Sequence, residues 1–313
     1  MSEKIATRVA YGTALAEIGH NENIVVLDAD LSKSTRTDLF KKKYPERHIN
    51  MGIAEANMMA VAAGLATCGK TVFASTFAMF AAGRAFDQVR NSIGYPHLNV
   101  KIGATHAGIT VGEDGASHQA IEDIALMRSI PGMTVISPAD AVSTKALVKK
   151  AAEMYGPVYL RLGRLDVHVI YPEDAEFEIG KGVCLKEGTD VTLIATGFMV
   201  EKALAAAEAL KESGISARVI DIHTIKPLDE EIIIKAAKET GAIVTCEEHN
   251  VLGGLGSAVA EVVVKNFPVP MEMVGVEDSF GKSGKPADLV EKYSLTAEKV
   301  IEKAKLVLER KKA

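Results

Sequence analysis

Residues 104–119 read ATHAGITVGEDGASHQ and gather two histidines (His106, His118), two acids (Glu113, Asp114), three hydroxyl side chains and three glycines. Imidazole, carboxylate and hydroxyl groups suit hydrogen bonding to sugar hydroxyls and phosphoryl oxygens, and glycine lets the backbone approach a ligand closely. The apolar run VKIG precedes the segment and a helical pattern begins near Ser117. Strand, loop and helix in that order place the loop beyond the carboxyl end of a strand, where open α/β sheets hold their ligands. A solvated connecting loop is the alternative reading.

Upstream, MGIAEANMM at 51–59 opens a stretch of small and apolar residues in which Glu55 is the only charge between His48 and Lys70. A helix without a polar face is expected to be buried all round, and a carboxyl group there loses hydration unless a partner compensates. Glu55 is therefore either a first-turn acid complementing the helix dipole or a buried acid that exchanges a proton with a ligand nitrogen. In STFAMF at 75–80, Phe77 and Phe80 stand three apart just past a strand, in a chain with only 5% aromatic residues. They are core packing or a flat apolar platform for a heteroaromatic ring. Arg161 and Arg164 in VYLRLGR follow another strand, as surface arginines or as anchors for a phosphate. The GGLG at 253–256 precedes a helix but reads as a tight turn rather than an anion site.

The elements that must position these residues alternate. Short apolar runs at 24–30, 71–75, 100–105, 134–137 and 158–162 read as strands, with helical patterns at 8–18, 54–67, 82–92, 119–130 and 141–154 between them. The stretch 165–188 breaks the alternation, so residues 1–170 form one expected domain, 171–188 a linker and 189–313 a second domain. The second repeats the pattern, with strands at 191–195, 217–221, 242–247 and 271–276 and helices at 199–213, 229–240, 256–266 and 297–311. The expected fold class is α/β, two doubly wound sandwich domains, each around a mostly parallel sheet. At 313 residues each domain has an ample core. A net charge of −5, spread along the chain, points to neither nucleic acid nor an anionic membrane. No apolar run approaches the ~20 residues of a membrane span. Three scattered cysteines without a CxxC fit a reducing, cytoplasmic setting. No Walker loop or GxGxxG is present, and no histidine and carboxylate spacing suggests a metal site.

Taken in order, MGIAEANM, STFAMF, THAGITVGEDGASHQ, and IKPLDEE with EEHNVLGGLGSA resemble the C-terminal half of transketolases, thiamine-diphosphate enzymes, over essentially the whole chain. The resemblance implies a pyrimidine-binding domain followed by a transketolase C-terminal domain. It implies transfer of a two-carbon glycolaldehyde unit from a ketose phosphate to an aldose phosphate. In that family Glu55 would partner the N1′ nitrogen of the cofactor's aminopyrimidine, Phe80 would stack on that ring with Phe77 beside it, and Asp30 would lie near the cofactor. His106 and His118 would bind substrate hydroxyls and assist proton transfers, while Asp114 would read the C2 hydroxyl of the acceptor. Arg164, and on shorter matches Arg8 and Ser34, would contact substrate phosphate. The family grips the cofactor diphosphate through Mg²⁺ with a GDG motif followed by Asn, and this chain has only EDG at 113–115. It therefore resembles one half of a split transketolase, with Mg²⁺ bound mainly by an N-terminal partner subunit and an expected α2β2 heterotetramer.

Two sister families share the glutamate and aromatic motifs: 1-deoxyxylulose-5-phosphate synthase and the β subunit of 2-oxo-acid dehydrogenases. His106 where the synthase usually has arginine, and the acidic EDG loop that the dehydrogenase usually lacks, favour transketolase. A non-catalytic subunit of the same fold is a further alternative.

Overall fold

The computed structural model describes residues 3–312. Fourteen strands form two sheets and a short ribbon: β1 Lys4–Ala6, β2 Ile24–Asp28, β3 His48–Asn50, β4 Thr71–Phe77, β5 Val100–Thr105, β6 Thr134–Ile136, β7 Val158–Arg161, β8 Asp166–His168, β9 Val183–Lys186, β10 Val191–Ala195, β11 Ala217–Asp221, β12 Thr224–Lys226, β13 Ile243–Asn250 and β14 Met271–Val276. The first sheet has the order β12-β6-β7-β5-β4-β2-β3 and the second β14-β13-β10-β11-β9. Pairing is parallel throughout except at β12 and β9, which add antiparallel. Such sheets need both faces covered, and β2, β5, β6, β7, β10 and β11 are buried at every residue. The alternation of apolar runs and helical patterns is thus an α/β fold of two doubly wound units.

The halves are more entangled than two separate sandwiches. Strand β12 comes from the second half yet extends the first sheet beside β6. The buried apolar residues form two clusters, and each draws side chains from both halves. Strand β1 pairs with β8 across nearly the whole first unit, which ties residue 7 to residue 163: Thr7 Oγ1 accepts the Gly163 N–H at 2.8 Å. Asp229 caps the Glu230–Thr240 helix through a bond from Ile232 N, as its position before two acids implies. Among the described residues no helix is long and apolar enough to cross a membrane.

Three expected elements differ. The helical pattern at 119–130 begins only at Asp123, because Ala120 is held in a parallel bridge to Ala107. The pattern at 82–92 folds as wide turns over Phe80–Arg84 and Val89–Gly94 around the short helix Phe86–Gln88. The Glu55–Thr67 helix is not buried all round: Met58, Met59, Ala62, Ala63 and Ala66 face the core, while Asn57, Ala60, Gly64 and Thr67 are exposed.

Candidate active site

The singled-out residues converge at the carboxyl ends of five neighbouring parallel strands, the position where open α/β sheets bind ligands. Asp30 follows β2, Glu55 follows β3, Phe77 ends β4, His106 follows β5 and Arg164 follows β7. Phe77 and Thr105 are register partners on β4 and β5, so the residue after Thr105 meets the Phe77 ring. His106 stacks on it at 3.9 Å between centroids, with a left-handed backbone (φ 58°) that turns its ring back over the strand end. Phe80 stacks on Phe77 at 5.7 Å, and His118 sets its edge against both, at 5.2 Å from Phe80 and 6.2 Å from Phe77. Four rings from three segments thus form one cluster, in an arrangement aromatic groups favour.

Glu55 is 2% exposed and opens its helix. The compensating partner is Arg84, whose Nη1 reaches both carboxylate oxygens at 3.0 and 3.1 Å. The same guanidinium lies 4.3 Å over the Phe80 ring, so one cation links the buried acid to the ring cluster. Sequence reasoning missed Arg84, which sits on the wide turn Phe80–Arg84, where regular helical spacing does not hold. Asp30 is exposed with a left-handed backbone and exchanges two hydrogen bonds with Asn50, each 3.0 Å, which joins the ends of β2 and β3.

The arginines separate clearly. Arg161 is 6% exposed and committed to the interior: its Nε donates to Asp123 at 2.9 Å and its Nη2 to Glu248 O at 2.9 Å. Arg164 remains 38% exposed, bonded to Val111 O and to Glu113 at 3.2 Å. Arg8 is brought to it by the β1–β8 ribbon and donates to the backbone oxygen of Ser34 at 2.8 Å. The Ser34 contact therefore runs through its carbonyl. Burial, then the positive charges of Arg36 and Arg164, lower the Arg8 pKa. Three guanidiniums gathered this closely repel one another, and Nε of both Arg8 and Arg36 is buried without a hydrogen-bond partner among the described residues. Such a cluster fits an anionic group. Arg36 is the second residue that sequence reasoning missed.

Burial, reinforced by Arg8, Arg164 and His118, pushes the His106 imidazole down to about 3, so it is a neutral donor–acceptor at physiological pH. His118 is half-buried and Asp114 exposed on the same loop. The glycines at 253–256 serve structure, as expected. Glu247 accepts the N–H groups of Leu255 and Gly256 at 2.7 and 2.8 Å, and a Cβ on Gly254 would fall 1.9 Å from its Oε2.

A stacked phenylalanine pair, a buried acid, two histidines and an arginine cluster thus lie together at the carboxyl ends of one parallel sheet. The chain matches the transketolase pyrimidine-binding domain over residues 3–169 and the transketolase C-terminal domain over residues 180–300. A Methanocaldococcus jannaschii protein provisionally named a transketolase C-terminal section is 54% identical over 309 residues, covering 97% of this chain and 96% of that protein. The 6-deoxy-6-sulfo-D-fructose transketolase subunit of a Clostridium species is 47% identical over 291 residues, 93% of this chain and 90% of that subunit. A solved split-gene transketolase, described as an inactive β4 tetramer, superposes with a TM-score of 0.91 at 58% identity, covering 98% of this chain and 99% of that one. Mouse transketolase is 42% identical, but the chain spans only 49% of its length. This chain belongs to the transketolase family and corresponds to the C-terminal half of its full-length members.

Proposed function

We propose that this chain is the C-terminal subunit of a split transketolase, active only with an N-terminal partner, and that the two transfer a two-carbon unit from a ketose phosphate to an aldose phosphate. The observation that carries the reading is the Phe77–Phe80–His106–His118 ring cluster joined to the buried Glu55 carboxylate through Arg84. The residues suit thiamine diphosphate: Phe80, with Phe77 beside it, would stack on the aminopyrimidine once the Arg84 guanidinium over its ring moves aside, Glu55 would offer a carboxylate oxygen to its N1′ nitrogen, and Asp30 a polar group near it. When bound, this cofactor supplies the nucleophilic carbon and the electron sink that no side chain provides.

The chain's own groups bind, orient and move protons. Glu55 holds or yields a proton at the ring nitrogen. Its burial keeps water from competing for that bond. His106, neutral and desolvated, hydrogen-bonds a substrate hydroxyl and exchanges a proton there, with His118 across the ring cluster as its counterpart. Asp114 reads the C2 hydroxyl of the acceptor. Arg164 and Arg8, with Arg36 close by, hold the anionic terminus, where Ser34 offers a further polar contact. Mg²⁺ and the cofactor diphosphate belong mainly to the partner subunit.

The exposed face of the Glu55–Thr67 helix supports assembly, since Asn57, Ala60, Gly64 and Thr67 together with the 79% exposed Ile53 form an unpaired stripe beside the site. An α2β2 heterotetramer in the cytoplasm satisfies this arrangement. The Clostridium relative, named for a sulfo-sugar, introduces a second donor class, because guanidinium groups can also hold a sulfonate. The test is two-carbon transfer from xylulose 5-phosphate to ribose 5-phosphate with both chains, thiamine diphosphate and Mg²⁺. Activity that requires both chains supports the proposal. Transfer only from a 6-sulfo ketose reassigns the donor, and a complex that ignores sugars but decarboxylates pyruvate overturns it.

A further inference from the structure

The second half of the chain grips the 108–119 loop at four points, and each point is a glycine. A Cβ on Gly108 would sit 2.2 Å from the Glu248 carboxyl carbon, one on Gly112 3.1 Å from Pro286, and one on Gly115 2.4 Å from Ser283 Oγ. The fourth contact runs the other way: a Cβ on Gly281 would fall 1.8 Å from Gln119 Oε1. At Gly108, Gly115 and Gly281 a larger residue would force the facing side chain to shift, and at Gly112 it would crowd Pro286. Glu248 adds a bond to the loop by accepting the Thr110 N–H at 2.8 Å.

Gln119 is the centre of this grip. It is 2% exposed, and its Nε2 donates to Ile109 O at 3.1 Å and Gly112 O at 3.3 Å within the loop, and to Lys282 O at 2.9 Å across from it. One amide thus closes the loop on itself and pins it to the 280–286 segment. His106 precedes the pinned stretch, while Asp114 and His118 lie within it. We infer that Gln119 is a positioning residue through which the second domain fixes the loop carrying Asp114 and His118, and so sets which acceptors the site selects. The lock is independent of any ligand; its consequence for acceptor choice rests on the proposed transfer reaction.

Gly281→Ala pushes on the far end of the Gln119 side chain, which can yield by giving up its bonds. Hydrogen exchange on the full-length chain should then show amides across 109–119 exchanging about tenfold faster, the scale of losing one or two buried hydrogen bonds. Gln119→Ala alone should release the same amides. In the Gln119→Ala background, adding Gly281→Ala should change exchange by less than about twofold, because the two act through one contact. In the two-subunit complex, Gly281→Ala should raise KM for a 2-hydroxy acceptor about tenfold and erase most of its advantage over the 2-deoxy analogue, with thiamine diphosphate affinity retained. Unchanged loop exchange, or equal acceleration by Gly281→Ala with and without Gln119, overturns the lock. Faster exchange with acceptor preference intact overturns the role in selection. A parent complex without transfer activity removes the proposed function and the selection claim with it, while the exchange measurements still decide the lock. If Gly281→Ala does not fold, the Gln119→Ala comparison carries both readings.

Discussion

At the scale of single residues, the site holds buried polar groups that depend on the neighbours paired with them. Glu55 shows this most directly. A carboxylate 2% exposed is costly unless paired, and Arg84 pairs it while stacking on Phe80. In the assembled enzyme, Glu55→Gln should lower kcat at least about 10²-fold, the usual scale for removing a positioned proton carrier. Folding and partner binding should be retained, and near-parent turnover would take Glu55 out of the mechanism. His106 makes a prediction of a different kind. Burial first, then nearby cations, lower its pKa to about 3, and burial lowers that of His223 to about 4. An unfolded histidine takes up its proton near pH 6.5, so both contribute stability that is present above pH 6.5 and lost as pH falls through 6.5 toward 3 or 4. Asp221 runs oppositely: burial raises its pKa to about 7, so its contribution is full below about pH 4 and fades as pH rises through 7. Burial likewise raises Asp28, Glu247 and Glu248, which oppose the histidines in the same sense as Asp221. Because His106 by itself contributes up to about 1.4 kcal/mol per pH unit below 6.5, the difference in melting temperature between parent and His106→Asn should shift against the parent on acidification from pH 6.5 to 4. A constant difference would show that His106 is not held neutral.

At the scale of elements, the strands that carry the site were legible, and the short ones that assemble it were not. Strands β2, β4, β5 and β7 are apolar runs whose ends place Asp28, Phe77, Thr105 and Arg161 where a crossover α/β pattern puts them. Strands β1, β3, β8 and β12 have three residues each, too few to show any period. They exist because tertiary pairing holds them, and with them went the proximity of Arg8 to Arg164. Arg84 was hidden for a related reason: it sits on a wide turn, where the regular helical spacing that locates partners fails. Gly64 tests the exposed helix face. Nothing lies within 4 Å of a Cβ built there, so Gly64→Arg should leave the fold intact and raise helix stability by about 0.5–1 kcal/mol. If this face receives a second subunit, the same change should shift the complex to a smaller species in gel filtration with circular dichroism unchanged. Intact assembly would place the interface elsewhere.

At the scale of the whole molecule, the chain offers the ring cluster, the acid and the arginines, while spanning about half of a full-length relative. The proposed split makes a clear demand: the groups here that recognise substrate should function only in complex with the partner subunit. The arginine cluster makes that demand measurable, because it depends on both ends of the first unit. Arg8 lies in the first turn of the Thr7–Ile18 helix that follows β1, and Arg164 lies between β7 and β8. Charge-assisted bonds from guanidinium to a phosphate are about twice as strong as neutral ones, and the fork geometry favours planar oxygens. In the two-subunit complex, Arg164→Gln should therefore raise KM for a phosphorylated acceptor about tenfold or more while leaving that for an unphosphorylated sugar within about twofold. Arg161→Gln should behave differently, reducing the amount of folded protein, because it leaves the buried Asp123 carboxylate with the Tyr159 hydroxyl but no cation. Equal losses on both sugars for Arg164→Gln would mean the cluster holds the chain together rather than the substrate's anion. In that case the anionic terminus would have to be read by the partner subunit, and this half would contribute only the ring platform and the proton carriers.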